Sequence, residues 1–362
     1  MRRAIDRLWR TLAPNGRIDD ELRQAWADES ILEGIWPLVE AEDMGPWLAV
    51  RLHDLGIELT GRWKTHLART SAEAAAQVLL LQEEVRALAA ILAAEGITLA
   101  VLKGAARAWL DASPLVRARH VADCDVLVPA ADVDRAMARL AAAGYTRVGA
   151  GAPAGHWHAD PVRRDRITVE VHHALDREES PTEVWARVRA TASEVSLGTV
   201  SVLVPSVAEL VWHALRHRIA SPVWWLRFRY VADLASLLPL LDAPGRALLR
   251  ERLAASPASA RERLAPLIRC VSDFADHAFA EDLGVADGDA TPMREVLLWR
   301  LAEIWRHDDP ASRRAESGRM APYFVLGHEA DDVDGGRSVP RRMLDALAIV
   351  EFRRMLEDQP PS

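Results

Sequence analysis

Three short stretches of the sequence decide the fold: residues 97–104 read ITLAVLKG, residues 123–128 read DCDVLV and residues 167–172 read ITVEVH. Each stretch contains β-branched residues and is bounded by polar or turn-forming residues, which is typical of β-strands. On both sides of them apolar residues recur at three- and four-residue spacing, which predicts amphipathic helices. The sequence therefore predicts an α+β fold, in which a small mixed sheet is flanked by N-terminal and C-terminal helical regions.

These patterns divide the chain into a helical region at residues 1–95, a sheet-containing core at residues 96–205 and a second helical region at residues 206–362. Strands are predicted at residues 97–102, 123–128, 145–148 and 167–172, with a closing hairpin at residues 195–204. Helices are predicted at residues 3–12, 19–55, 71–95, 105–110, 132–143, 206–219, 224–239, 245–283, 293–306 and 340–357. A long loop is predicted at residues 308–337. Ser206 and Glu209 have the spacing of a capping box.

The composition excludes several classes of protein. The chain has 362 residues, of which 50% are hydrophobic, and its formal net charge is -8. An acidic balance argues against binding nucleic acid or anionic membrane by bulk charge. No apolar run reaches the roughly 20 residues that span a bilayer. Two cysteines, Cys124 and Cys270, are too few for a disulfide framework, so we expect a reducing, cytoplasmic location.

Acidic side chains gather on two of the predicted strands. Asp123 and Asp125 share one face of their strand because side chains alternate, and Glu170 and His172 share one face of theirs. If the two strands are neighbours, Glu170 completes a set of three carboxylates. Carboxylates at close range repel one another unless a cation compensates, and Mg²⁺ or Mn²⁺ favours oxygen ligands. The alternative interpretation is ordinary solvated charge at a strand edge.

The turn at Lys103-Gly104 suggests a phosphate site beside these acids. Glycine lets a phosphate approach the backbone, and the N-terminus of the following helix attracts anions. Lys103 supplies a point charge, and Arg119, just before the second strand, has the planar group that clamps phosphate oxygens. We therefore expect Lys103, Gly104 and Arg119 to bind phosphate groups.

As a set, these motifs resemble those of a largely uncharacterised family of nucleotidyltransferases in the polymerase-β-like superfamily. The resemblance covers about residues 75–240 and rests on LKG at 102–104, RHVADCDVLV at 119–128, GY at 144–145 and VEVH at 169–172. It implies that Asp123, Asp125 and Glu170 are the metal-binding and catalytic acids of a nucleotidyltransferase-like core, and that Lys103, Gly104 and Arg119 face the nucleotide phosphates. We expect His172 to belong to the same nucleotide site. Two positions depart from the usual pattern, since Cys124 replaces an aliphatic residue and Glu170 replaces an aspartate.

The resemblance implies transfer of a nucleoside monophosphate from an NTP to a peptide, a sugar or another small molecule. A second interpretation is a catalytically weak accessory module that binds a peptide or nucleotide for a partner enzyme. A third is a metal-dependent hydrolase that uses His172, His213 and His217, the last two lying four residues apart on a predicted helix. We expect no bulk binding of nucleic acid and no membrane association.

Overall fold

The computed structural model describes most of the first 285 residues of the chain. The described ranges are residues 8–15, 19–110, 114–121, 123–148, 157–175, 179–220 and 228–285. The helices predicted at residues 293–306 and 340–357 and the loop predicted at residues 308–337 lie outside them.

Fourteen helices fall within the described residues. They are α1 (residues 8–12), α2 (Asp20–Ala27), α3 (Glu29–Ala41), α4 (Gly45–Asp54), α5 (Gly61–Ala93), α6 (Lys103–Arg107), α7 (Pro114–Arg117), α8 (Val133–Ala142), α9 (Pro181–Thr191), α10 (Val207–Ala220), α11 (Phe228–Leu237), α12 (Ala243–Ala255), α13 (Ala258–Ala275) and α14 (Phe279–Asp282). Short 3-10 turns occupy Ala130–Asp132 and Leu238–Leu240.

Seven strands within the same residues form one sheet. They are β1 (Ala100–Val101), β2 (Asp123–Leu127), β3 (Thr146–Arg147), β4 (Val162–Arg163), β5 (Thr168–His172), β6 (Ser193–Ser196) and β7 (Ser201–Val204). They lie in the order β3-β4-β5-β2-β1-β7-β6. The pairs β2–β5 and β1–β7 are parallel and the others antiparallel. The predicted α+β fold with a mixed sheet is therefore confirmed.

The two faces of the sheet pack differently. One face joins the main hydrophobic core, which runs from the N-terminal to the C-terminal helices and receives Cys124, Val126, Val169 and Val171 from the central strands. The other face is covered by α9 over a small separate cluster. Its buried members are Ala100, Leu102, Leu127, Leu175, Val184 and Val188. Only part of this second face is apolar, because Asp123, Asp125 and Glu170 belong to it.

Several predicted helices are interrupted in the structure. The helix predicted at residues 245–283 is three helices, α12, α13 and α14. The first break falls at Ser256, because the residue before a proline, here Pro257, disfavours the helical conformation. The second falls at Asp276, which ends α13 in the left-handed region with φ 47°. The helix predicted at residues 19–55 is likewise α2, α3 and α4.

The predicted capping box at α10 is half correct. The backbone N–H of Glu209 donates to Ser206 Oγ at 3.3 Å, which is the expected cap. The carboxylate of Glu209 does not complete the box. It is 1% exposed and accepts hydrogen bonds from Arg187 of α9 and Arg252 of α12. Ion pairing between helices therefore takes the place of the local contact.

None of the helices in the described ranges is both long and apolar enough to cross a membrane.

Candidate active site

The two central parallel strands bring Asp125 and Glu170 side by side. Asp125 pairs with Glu170 in the β2–β5 register, and Asp123 pairs with Thr168 at the start of both strands. Since residues paired across parallel strands point to the same face, all three carboxylates lie on the face that α9 only partly covers. Asp125 and Glu170 are 45 residues apart in the sequence, and the pairing of β2 with β5 makes them neighbours in space.

His172, rather than Asp123, completes the closest group of donors. Asp125, Glu170 and His172 each offer one ligand atom, and these atoms lie within 4.8 Å of one another. The Nε2 atom of His172 is 2.9 Å from Asp125 Oδ1 and 3.5 Å from Glu170 Oε2. Two carboxylates with an imidazole suit Mn²⁺, and the carboxylates alone suit Mg²⁺, so the donor set fits a divalent cation.

Lys103 lies directly against these acids. Its Nζ donates to Asp125 Oδ1 at 2.6 Å and lies 3.9 Å from Glu170 Oε2. The backbone of Lys103 has φ 45°, a left-handed conformation that residues other than glycine rarely adopt. This conformation occurs where β1 turns into α6, and it aims the side chain at the carboxylates. The predicted lysine therefore belongs to the acid cluster, and its contact with a phosphate stays a prediction.

Gly104 allows the same turn to pack tightly. A Cβ on this residue would lie 3.1 Å from Val121 Cγ1 and 3.6 Å from Arg119 Cζ. A larger residue would push α6 away from the segment that leads into β2. This packing explains the glycine in the structure, and its contact with a phosphate stays a prediction.

The electrostatics of the two aspartates differ. Burial alone would raise the pKa of Asp125, but the charge of Lys103 and the hydrogen bond from His172 outweigh it and hold that pKa well below its usual range. The pKa of Asp123 is raised, first by burial and then by the negative charge of Asp125. Asp125 is thus a fixed anion, whereas Asp123 is the more basic carboxylate.

Arg119 faces an acid instead of open space. Its Nη1 donates to Asp233 Oδ2 of α11 at 2.6 Å. Arg107 of α6 donates to the backbone carbonyl of Asp233 at 2.6 Å and to Ser236 Oγ at 2.9 Å. Burial lowers the pKa of Arg107 to about 10. The two arginines therefore fasten the turn after β1 and the approach to β2 to α11, and a phosphate contact by Arg119 stays a prediction.

Two histidines of α10 lie next to the acid cluster. The ring of His213 is 6.3 Å from that of His172 and 6.1 Å from that of His217. Burial, followed by the charge of Lys103, holds the pKa of His213 well below its usual range. His213 Nε2 and His172 Nδ1 have no hydrogen-bond partner in the described part of the chain. Neither His213 nor His217 joins the close donor group, so the structure gives no support to a three-histidine hydrolase site.

Sequence reasoning missed both Arg107 and the contact of Asp233 with Arg119. Arg107 carried a weak signal, namely an arginine within a run of alanines directly after the Lys-Gly turn. Asp233 lies 114 residues beyond Arg119, and no local pattern relates the two.

Comparison with known proteins agrees with this geometry. The sequence model of a family described as "Uncharacterised nucleotidyltransferase" matches residues 29–271, which is more than half of the chain. Among curated proteins, no sequence matches. The match includes the three acids, Lys103 and the helices that hold them in place. The chain is therefore a member of this uncharacterised nucleotidyltransferase family.

Proposed function

We propose that the protein transfers a nucleoside monophosphate from an NTP to a hydroxyl, amine or phosphate of a peptide, a sugar or another small molecule, in a reaction that needs Mg²⁺ or Mn²⁺. One observation carries the proposal. Asp125 and Glu170 are paired on neighbouring parallel strands, with the ammonium of Lys103 against both. A cluster of this kind supplies negative ligands for a divalent cation and a positive charge for phosphate.

Different residues of the chain would carry out the separate steps of the transfer. The acceptor atom forms a bond to the α-phosphorus, the bond from that phosphorus to the bridging oxygen breaks, and pyrophosphate leaves with the electron pair. Asp125, Glu170 and His172 would hold the divalent cation, which supplies charge neutralisation for the triphosphate. Asp123 would accept the acceptor's proton, because its pKa is raised above that of an ordinary aspartate. Lys103, Gly104 and Arg119 would bind the phosphates.

The proposal also places the protein in the cytoplasm. There NTP is available and the buried thiols of Cys124 and Cys270 stay reduced.

The first test removes one charge at Asp125. Asp125→Asn keeps the size of the side chain and removes a cation ligand, so release of pyrophosphate should fall by at least about 100-fold if the cluster carries the chemistry. Pyrophosphate release is measured for each of the four NTPs with Mg²⁺ or Mn²⁺, with a panel of peptide and sugar acceptors. Glu251→Gln, an exposed position on α12, is the control and should behave as the parent. Equal release by Asp125→Asn and the parent contradicts the proposal.

One feature favours a second candidate, an accessory module without turnover. Lys103 already neutralises part of the charge of Asp125 and Glu170. Its ammonium can therefore stabilise the cluster in place of a divalent metal ion. Such a module would bind a peptide or nucleotide and present it to a partner enzyme. Calorimetric titration with a non-hydrolysable NTP and Mg²⁺ distinguishes the two. Binding of the nucleotide that depends on Mg²⁺ supports the transferase, and binding of a peptide without release of pyrophosphate supports the module.

A further inference from the structure

Lys103 is unusual in the composition of this chain. Lysine and arginine together number 45, yet lysine occurs only at Lys64 and Lys103. Lys64 is exposed on α5, whereas Lys103 reaches into the acid cluster. An ammonium is a compact point charge on a flexible stem, and a guanidinium is a broad planar group. Although nearly all basic residues of the chain are arginines, the acid cluster contains a lysine, whose ammonium is smaller and more mobile than a guanidinium.

The ammonium of Lys103 contacts a carboxylate oxygen that a divalent cation at this cluster would also need. It is 2.6 Å from Asp125 Oδ1 and 3.9 Å from Glu170 Oε2, and both carboxylates belong to the close donor group. A divalent cation held by these residues needs carboxylate oxygens at about 2.0–2.2 Å. Two positive charges sharing Asp125 Oδ1 would repel each other strongly in a site with little solvent, since Asp125 is only 1% exposed. The ammonium and the metal ion therefore cannot occupy this position together.

The side chain of Lys103 has room to move away from Asp125. It keeps 24% of its surface exposed, and Glu170 keeps 23%, so the cluster is open on the side of these two residues. The four-carbon stem rotates about its own bonds, so the ammonium can leave Asp125 while the turn that begins α6 stays in place. A triphosphate entering from the open side would offer the displaced ammonium new acceptor oxygens.

We propose that Lys103 and the divalent cation exchange places on Asp125, so that the metal ion binds weakly alone and strongly as a complex with the nucleotide. This inference rests on the proposed function, because it takes the ligand to be a nucleoside triphosphate. Without nucleotide, the ammonium of Lys103 stays on Asp125. When the metal–nucleotide complex arrives, the metal ion takes Asp125 and the ammonium moves to the phosphates. The residue then couples the two binding events.

The main test titrates Mn²⁺ without nucleotide. Parent protein, Lys103→Met and Lys64→Met are compared by calorimetry and by the electron paramagnetic resonance of free Mn²⁺. Lys103→Met keeps the length of the stem and removes the competing charge, so it should bind Mn²⁺ about ten- to a hundredfold more tightly, the range set by one charge-assisted hydrogen bond. Lys64→Met should match the parent. Mn²⁺ affinity in Lys103→Met that is equal to or below that of the parent overturns the inference.

A second measurement uses the unaltered protein and covers the case in which Lys103→Met does not fold. Because the chain has two lysines, a sample labelled at the lysine side chains gives two sets of Nζ and Cε signals. Addition of Mg²⁺ with a non-hydrolysable ATP analogue should shift the Lys103 signals and leave those of Lys64 in place. Lys103 signals that do not move overturn the exchange.

The two proposals fail in different ways. Tighter Mn²⁺ binding by Lys103→Met without release of pyrophosphate by the parent supports the exchange and contradicts the transferase. Release of pyrophosphate by the parent with unchanged Mn²⁺ affinity in Lys103→Met supports the transferase and contradicts the exchange.

Discussion

Asp125 contacts or pairs with every other member of the close donor group and with Lys103. It is 1% exposed, and it accepts hydrogen bonds from Lys103 and His172 at one oxygen, Oδ1. A buried carboxylate with two donors is held in one orientation, because turning away from either donor loses a hydrogen bond that solvent does not replace. The sequence indicated the acid from the spacing of DCDVLV, but it gave no sign that both donors would meet on one oxygen.

His213 supplies a prediction about pH. Its pKa is held well below the usual value near 6.5, so the folded protein keeps this ring neutral where the unfolded chain protonates it. The unfolded state therefore binds more protons below pH 6.5, and stability is lost as the pH falls from there toward the folded pKa, by up to about 1.4 kcal/mol for each pH unit. His213→Phe keeps a ring and cannot protonate, so its stability should fall less.

Urea unfolding of parent and His213→Phe at pH 7.5, 6.5 and 5.5 checks this prediction. Only the difference between the two slopes is assigned to His213, because every other ionisable group is common to both proteins. Identical pH dependence in the two proteins would show that the ring is not held neutral by the fold.

At the scale of elements, Glu209 joins three helices. Its carboxylate, on α10, pairs with Arg187 of α9 and Arg252 of α12, so α9 is fastened over the second face of the sheet. Because α9 also covers the small apolar cluster on that face, this ion network and the cluster hold the helix from two sides.

Glu209→Gln should therefore destabilise the protein by about 2–4 kcal/mol, less than a fully buried ion pair costs, because both arginines keep some contact with solvent. The substitution removes the charge that faces Arg252, and it leaves Arg187 with Glu179 as its remaining acidic partner. Chemical denaturation measures the change, and Glu251→Gln, exposed on α12, should lie within about 0.5 kcal/mol of the parent. A stability of Glu209→Gln equal to that of this control would mean that the network contributes nothing.

The elements that the sequence predicted well are those with a strong local pattern. Alternation in DCDVLV and ITVEVH gave β2 and β5, and the apolar spacing gave α8 and α10. The two-residue strand β4, at Val162–Arg163, is too short for a period to be visible, and it exists because β5 offers it a partner. The sequence analysis predicts no helix at α9, although Pro181 at its first turn and Glu183 after it are typical of a helix start.

The site was predictable in composition but not in detail. The acids, the lysine turn and the histidine follow from strand alternation and from the family motifs. His172 is paired with Leu127, yet its Nε2 reaches back to Asp125, which depends on a side-chain rotamer set by tertiary packing. Arg119 was expected at the phosphates, but its contact with Asp233 depends on where α11 docks, which no neighbouring residue specifies.

For the molecule as a whole, the main core links the two ends of the described chain. Trp9 near the N-terminus packs against Phe228 and Phe274 of the C-terminal helices, with ring centroids 5.2 and 4.9 Å away, and the two phenylalanines lie 5.1 Å apart. The three rings belong to the same continuous core as the sheet face that carries Cys124 and Val126. The division of the chain at residues 95 and 205 into separate domains stays a prediction.

Phe274→Ala tests how far this core acts as one unit. The residue is fully buried, so the loss should be about 3–5 kcal/mol. We expect one unfolding transition at a lower denaturant concentration, seen equally by tryptophan fluorescence and by circular dichroism. Leu79→Ala, 65% exposed on α5, is the control and should change stability by less than about 0.5 kcal/mol. Two separate transitions in Phe274→Ala would instead support independent domains.

Cys124 allows the opening of β2, the strand that carries Asp123 and Asp125, to be followed by alkylation. Its side chain lies between Asp123 and Asp125 in sequence but on the opposite face, fully buried in the main core, and burial raises the pKa of its thiol well above the usual value. An un-ionised, enclosed thiol reacts with an alkylating reagent only when β2 separates from its neighbours. In a Cys270→Ala background, the rate of alkylation of Cys124 therefore measures how often the strand that carries the acids opens. Ligands that bind those acids should lower the rate of alkylation. Measuring this rate can therefore identify the nucleotides and metal ions that the protein binds, even while the acceptor is unknown.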